Sequence, residues 1–256
     1  MFMKRLLPGS DGSVTFGCFT PPVMIATCII EISLMVMVLV RYGYRRLQLP
    51  IVGLLFFLAV FQLCEFMICT GAASASNDWA RLGYFAITLL PPISVDLASR
   101  LSGYRQRKVV KACYALAVPY VLYYVFVPGV LTAICGGNYI IFTSPIITNW
   151  LYVAYYFGVI LVSLWVADRQ REQTQSKIVK QSLQWFTLGN LAFLLPSFGV
   201  VILRSFNVVG FPSVLCGFAV TYALVLGLKV APLARQIENT SAEPPKRGKK
   251  NQASVS

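Results

Sequence analysis

The chain has 256 residues, of which 57% are hydrophobic and 12% charged, with a formal net charge of +13 at pH 7. A mean hydropathy of +0.69 lies far above that of soluble domains, so the residues are expected to supply several membrane spans of about 20 residues each rather than one soluble core. The absence of histidine excludes Ser-His-Asp hydrolysis and histidine-ligated zinc, and no base-reading or base-stacking motif accompanies the positive charge, so nucleic acid is not an expected partner.

Residues 1–20 form a polar lead containing Gly9, Ser10, Asp11, Gly12 and Ser13. Met1 to Leu7 is too short for the apolar core of a secretory signal, and no cleavage is expected. Pro21 and Pro22 suit the first turn of a helix. The first span then runs to about residue 40, with Glu31 near its centre, and Arg41, Arg45 and Arg46 follow. The second span covers residues 50–71 and a short polar turn leads to the third, about 82–97. Next come Arg100, Arg105, Arg107, Lys108 and Lys111. The fourth span is expected at 112–134, including Pro119 and Pro128, and the fifth at 146–167. The charged run 168–181 reads as a helical extension or an amphipathic connector. The sixth span, 183–203, is expected to be broken by Pro196, and the seventh covers 208–230. The tail 231–256 is polar and basic without apolar periodicity, and is expected to be disordered.

Orientation follows from the basic residues. All but four of the 22 Lys and Arg residues fall in the first, third and fifth connections and, counting Lys229 at the end of the seventh span with it, the tail; the exceptions are Lys4, Arg5, Arg81 and Arg204. The positive-inside rule then puts the amino terminus outside and the carboxyl terminus in the cytoplasm. The expected fold class is all-α: a polytopic integral membrane protein with seven transmembrane helices, spanning residues 21–230.

The most informative stretch is residues 50–100. Glu65 lies within an apolar run, an expensive position unless it faces a partner or a water-filled cavity. Gln62 is three residues away and shares its helix face. The pair reads either as a polar anchor for a ligand or as an interhelical hydrogen bond. Glu31 reads as a satisfied core carboxyl or, if it faces Glu65, as half of a proton-linked pair. Pro91 and Pro92 remove two backbone donors and free the carbonyls of Ile87 and Thr88, which neighbouring groups must satisfy. Together with Pro196 they read as hinges or as static kinks. Asp96 reads as a switch contact with Arg100, four residues on, or as a solvated helix end, the preferred reading. Trp79, Tyr84, Trp150 and Tyr152 are expected near the outer boundary, and Tyr104, Trp165 and Trp185 near the inner one. Tyr152, Tyr155 and Tyr156 could line an outward pocket, although belt or packing roles are simpler. Asn190 reads as helix–helix glue.

Four of the seven cysteines, Cys28, Cys64, Cys113 and Cys216, fall in apolar runs and read as small buried hydrophobes. Cys18 and Cys135 share the expected outer side, which leaves a disulfide between them open. No metal site and no cofactor are expected. Lys246, Arg247, Lys249 and Lys250 in the tail read either as contacts to anionic lipid or as a solvated tail.

The order of several features resembles the seven-helix membrane region at the amino terminus of some bacterial histidine kinases. These features are Gln62-Leu-Cys-Glu65 late in the second span, Trp79-Ala-Arg-Leu-Gly83 opening the third, Leu89-Leu-Pro-Pro92 within it, and a charged connector before the sixth. The resemblance covers residues 21–230. It implies an input module in a bacterial inner membrane, coupled to a cytoplasmic output domain. After Val230 only 26 residues follow, too few for a kinase, so output is expected through a partner. A retinal protein would need a Schiff-base lysine inside the seventh span, whereas Lys229 lies at its cytoplasmic end.

The expected function is sensory or receptor-like. A small or lipid-like ligand would enter from the outer side and contact Glu65, Gln62, Glu31 and Trp79. Pro91, Pro92, Asp96 and Pro196 would relay the change to a cytoplasmic signalling partner. The alternatives are a small proton-linked transporter using Glu31 and Glu65, or a structural membrane subunit with no ligand. No nucleophile–base pair points to an enzyme.

Overall fold

The computed structural model describes residues 21–71, 76–103, 106–135, 140–203 and 211–242. The polar lead, with Cys18, and the tail residues Lys246, Arg247, Lys249 and Lys250 lie outside the described residues. Four helices come first: α1 (Pro21–Tyr42), α2 (Gln48–Thr70), α3 (Ser76–Leu101) and α4 (Arg107–Phe126). An antiparallel hairpin, β1 (Thr132–Cys135) and β2 (Ile140–Thr143), leads to α5 (Ile146–Gln173), α6 (Lys177–Leu203) and α7 (Phe211–Val225). A π-helical turn, Leu226–Val230, carries α7 directly into α8 (Ala231–Ala242). The chain is mostly helical. Among the described residues, six segments are long and apolar enough to cross a membrane: α1 to α5, and Phe218–Thr240, which runs from α7 into α8.

Helix α3 is the hub. It packs against α2, α4, α5, α6 and β1 and is the most deeply buried of these segments. Small residues make this close packing feasible, since apolar side chains alone do not distinguish a neighbouring helix from lipid. At Gly83, the position a Cβ would take lies 3.4 Å from the Phe61 ring and 3.5 Å from Cys64. Helix α4 is peripheral, packing mainly on α3 and exposing Leu116, Val118, Leu122 and Phe126. Helix α2 ends on Gly71, whose φ of 63° is the left-handed conformation that closes helices and that a Cβ disfavours.

Several boundaries differ from the sequence reading. The fourth span, expected to reach residue 134, ends at Phe126. Pro128 disfavours helical geometry in the residue before it, and Val127 is extended, at φ −84° and ψ 118°. The β-branched residues that follow pair as strands, with Ala133 opposite Phe142 and Cys135 opposite Ile140. Cys135 forms its disulfide with Cys69 at the end of α2, not with Cys18; a separation of 66 residues gave no local sign of that meeting. The charged run 168–181 divides: residues up to Gln173 extend α5, Thr174 is extended, and α6 starts at Lys177. Pro196 lies inside α6, which continues through it to Leu203. The tail is helical as far as Ala242, past Ala231, where disorder was expected to begin. In the π turn the Ala231 N–H reaches the Leu226 carbonyl, and Pro232, directly after it, has no N–H for the Leu228 carbonyl.

Candidate functional site

Among the described residues, two polar clusters inside the bundle hold most of the residues singled out above. The first joins α1 and α2. Glu31 is fully buried, and Gln62 and Glu65 are 3% and 2% exposed. Helices α1 and α2 pack against each other, and the Glu31 and Glu65 carboxyls lie within electrostatic range of each other. Cys28 sits beside Glu31 and within range of Cys64; its thiol donates to the Ala59 carbonyl at 3.4 Å. Neither Glu31 oxygen has a hydrogen-bond partner among the described residues. No Lys or Arg occurs in residues 21–40 or 48–70, so these helices supply no counter-charge of their own. Ionising both carboxyls in a dry interior costs far more than ionising one. The arrangement suits one proton or one cationic group between them.

Trp79 opens α3 half-buried against the core, one turn before Gly83. Gly83 is where α3 closes on Cys64, beside Glu65.

The second cluster surrounds the proline pair. Helix α3 runs through Pro91 and Pro92 without a break. The Thr88 carbonyl, freed by Pro92, accepts a hydrogen bond from the Tyr155 hydroxyl at 2.7 Å. The Thr88 hydroxyl donates to the Tyr84 carbonyl, so the Tyr152 hydroxyl, 3.2 Å away, must donate to it. Further along, Ser94 donates to Ser163 at 3.3 Å, and Ser163 donates to the Ile160 carbonyl. The Tyr222 hydroxyl, 3.4 Å from Ser94, also hydrogen-bonds Asn190. This network ties α3, α5, α6 and α7 together, and Asn190 serves as the expected glue. Beside it is a void of about 20 Å³, bordered by Leu54, Pro91, Ser94, Asn190, Phe193 and Tyr222, with room for about one water.

Tyr84, Tyr152 and Tyr155 pack in the core, whereas Tyr156, equally buried, borders the void. Tyr84 and Tyr152, expected at the outer boundary, are buried. Tyr84 stands at 4.6 Å from Tyr124 and 5.2 Å from both Tyr152 and Phe142, centroid to centroid. Tyr155 stacks on Tyr120 at 4.7 Å. Such ring pairs favour tilted and edge-on geometries. Trp150 and Trp165 remain about half exposed, as residues facing lipid would be.

Asp96 is buried, contrary to the preferred reading of a solvated end. It pairs with Arg100 at 2.6 Å, and Arg100 also donates to the Arg46 carbonyl at 3.0 Å. The sequence signal for this contact was the i, i+4 spacing. Its burial was hidden because α3 continues a full turn beyond the apolar run. Pro196 is half-buried in α6 and does not border the void.

No protein-family model matches this chain, and no curated protein or solved structure matches it either.

Proposed function

We propose that the protein is a seven-span sensory or receptor-like module of a bacterial cell membrane, with its amino terminus outside. It binds a small or lipid-like ligand near Glu31, Gln62 and Glu65 and signals through a cytoplasmic partner. The observation that carries this reading is the buried carboxyl pair. Carboxyls sealed in a membrane bundle are costly, and neither Glu31 oxygen has a hydrogen-bond partner among the described residues to offset that cost. Two features support the orientation. The basic residues favour the α1–α2, α3–α4 and α5–α6 connections, and the Cys69–Cys135 disulfide lies at the opposite end, where an oxidising compartment preserves it. The resemblance to kinase-linked membrane regions supports the signalling role.

In the packing seen here, the void lies at Pro91 and is bordered by neither glutamate. Glu31, Gln62 and Glu65 are all buried, so ligand entry requires α1 and α2, or α2 and α3, to part. The test is native mass spectrometry of the full chain in mild detergent, comparing wild type with Glu65→Ala. A defined adduct carried by wild type and lost in the variant is expected. An adduct retained in Glu65→Ala would remove the assigned site.

A proton-linked carrier is the second reading, favoured by the approach of Glu31 and Glu65. It requires proteoliposomes to take up protons under an imposed potential, and Glu31→Gln to abolish that uptake.

A further inference from the structure

The α1–α2 connection, from Tyr42 to Gln48, is gripped from two directions. On one side Arg100 of α3 holds the Arg46 carbonyl while remaining paired with Asp96. On the other side lies α8. The Leu47 N–H donates to Glu238 Oε1 at 2.8 Å, and Gln48 Nε2 donates to the Ala231 carbonyl at 3.0 Å. Arg235 Nη1 donates to the Tyr42 carbonyl at 3.3 Å, and Arg45 Nη1 donates to Asn239 Oδ1 at 3.3 Å. These contacts run along α8 from Ala231 to Asn239. The Glu238 carboxylate stands at the start of α2, where the helix dipole favours negative charge.

Ala231 and Ala234 anchor the first turn of α8 in the core, and beyond them the seat is largely polar. Only the Gln48 contact is buried; the other three are part-buried or exposed, where water competes for the same groups. Glu238 Oε2 is enclosed without a hydrogen-bond partner among the described residues, so the carboxylate is only half satisfied when docked. Directly before α8 is the π turn Leu226–Val230, a widened turn at which a helix bends more easily. Helix α2 starts at the gripped connection and carries Gln62 and Glu65 toward its other end.

We propose that α8 is a latch, closed in this structure, and that a shift of α2 driven from the Glu65 site releases it at the cytoplasmic end. This deepens the receptor reading and rests on it for the trigger. Release frees the Leu47 N–H and the half-buried Leu233 and Ile237 of α8 for a protein partner. A ligand can move this equilibrium only by binding the released form more tightly than the closed one.

Amide hydrogen exchange on the full chain in lipid nanodiscs tests the latch, read over residues 233–242. Glu238→Ala is expected to speed exchange of these amides by about tenfold or more, and the isosteric Glu238→Gln by less. Glu65→Ala is expected to change exchange of the same amides while leaving those of α4 unchanged. Wild-type protection of α8 in Glu65→Ala, or in Glu238→Ala, overturns the latch. If Glu238→Ala does not yield monodisperse protein, Arg45→Ala combined with Arg235→Ala serves instead, with the same expected gain. Loss of the bound adduct in Glu65→Ala with α8 exchange unchanged overturns the latch alone. An adduct retained with α8 exchange altered supports the latch while removing the assigned ligand site.

Discussion

The Tyr155 hydroxyl resolves a problem created four residues beyond its acceptor. Pro92 cannot donate to the Thr88 carbonyl, and Tyr155 donates to it at 2.7 Å from the neighbouring helix. Tyr155→Phe leaves that buried acceptor without its donor at almost no change in volume. Thermal unfolding in detergent should report a loss of about 1–3 kcal/mol. Tyr44→Phe, at a residue 78% exposed, should stay within about 0.5 kcal/mol of wild type. Equal responses would mean that another group already serves the Thr88 carbonyl. At this scale the need was legible in the sequence and its answer was not. Two adjacent prolines dictate that the carbonyls of Ile87 and Thr88 require partners, but the partner of Thr88 lies on another helix, 67 residues away. Glu31 and Glu65 were likewise legible as costly residues. Their approach to each other depends on how α1 and α2 rotate in contact, which an almost uniformly apolar pair of helices does not reveal.

Between elements, contact distance is governed by missing side chains. At Gly189 a Cβ would stand 3.0 Å from both Tyr222 Cδ2 and Val225 Cγ1, and 3.3 Å from Val225 Cβ. Gly189→Ala must therefore push α6 off α7 and strain the Asn190–Tyr222 bond, at a cost of about 1–3 kcal/mol. Gly158→Ala meets nothing within 4 Å and should be neutral or stabilising by about 0.5–1 kcal/mol. Melting temperatures of the two variants in one detergent decide the matter; a similar loss in both would place the penalty in helix α5 or α6 itself rather than between them. The apolar runs were legible as helices because spanning length and hydropathy leave little choice. The hairpin was not, since strands of four residues merge with an adjoining apolar run and show no distinct period. Helix α8 was missed for a different reason. The tail is polar and lacks an apolar period, and the hydrogen bonds that seat α8 on the α1–α2 connection join residues far apart in the chain.

For the whole molecule, orientation is the property on which all functional readings depend. With the amino terminus outside, a membrane-impermeant reductant added to intact cells should open the Cys69–Cys135 bond, read as new thiols alkylated by a maleimide reagent. Failure to reduce it in intact cells, with reduction after the membrane is permeabilised, would reverse the orientation. Opening the bond should also lower the melting temperature. Closing a loop of 66 residues is worth at most about 4 kcal/mol by chain entropy. That same covalent tie makes the two ends of α2 mechanically unequal. Its Cys69 end is cross-linked to β1, whereas its Gln48 end is held by packing and hydrogen bonds with no covalent cross-link. A helix of 23 residues at about 1.5 Å per residue is then a lever pivoted at its disulfide. A tilt of about 5° about that pivot carries the Gln48 end about 3 Å, the length of one hydrogen bond. A small opening around Glu65, close to the pivot, would thus be magnified at the Gln48 end of α2.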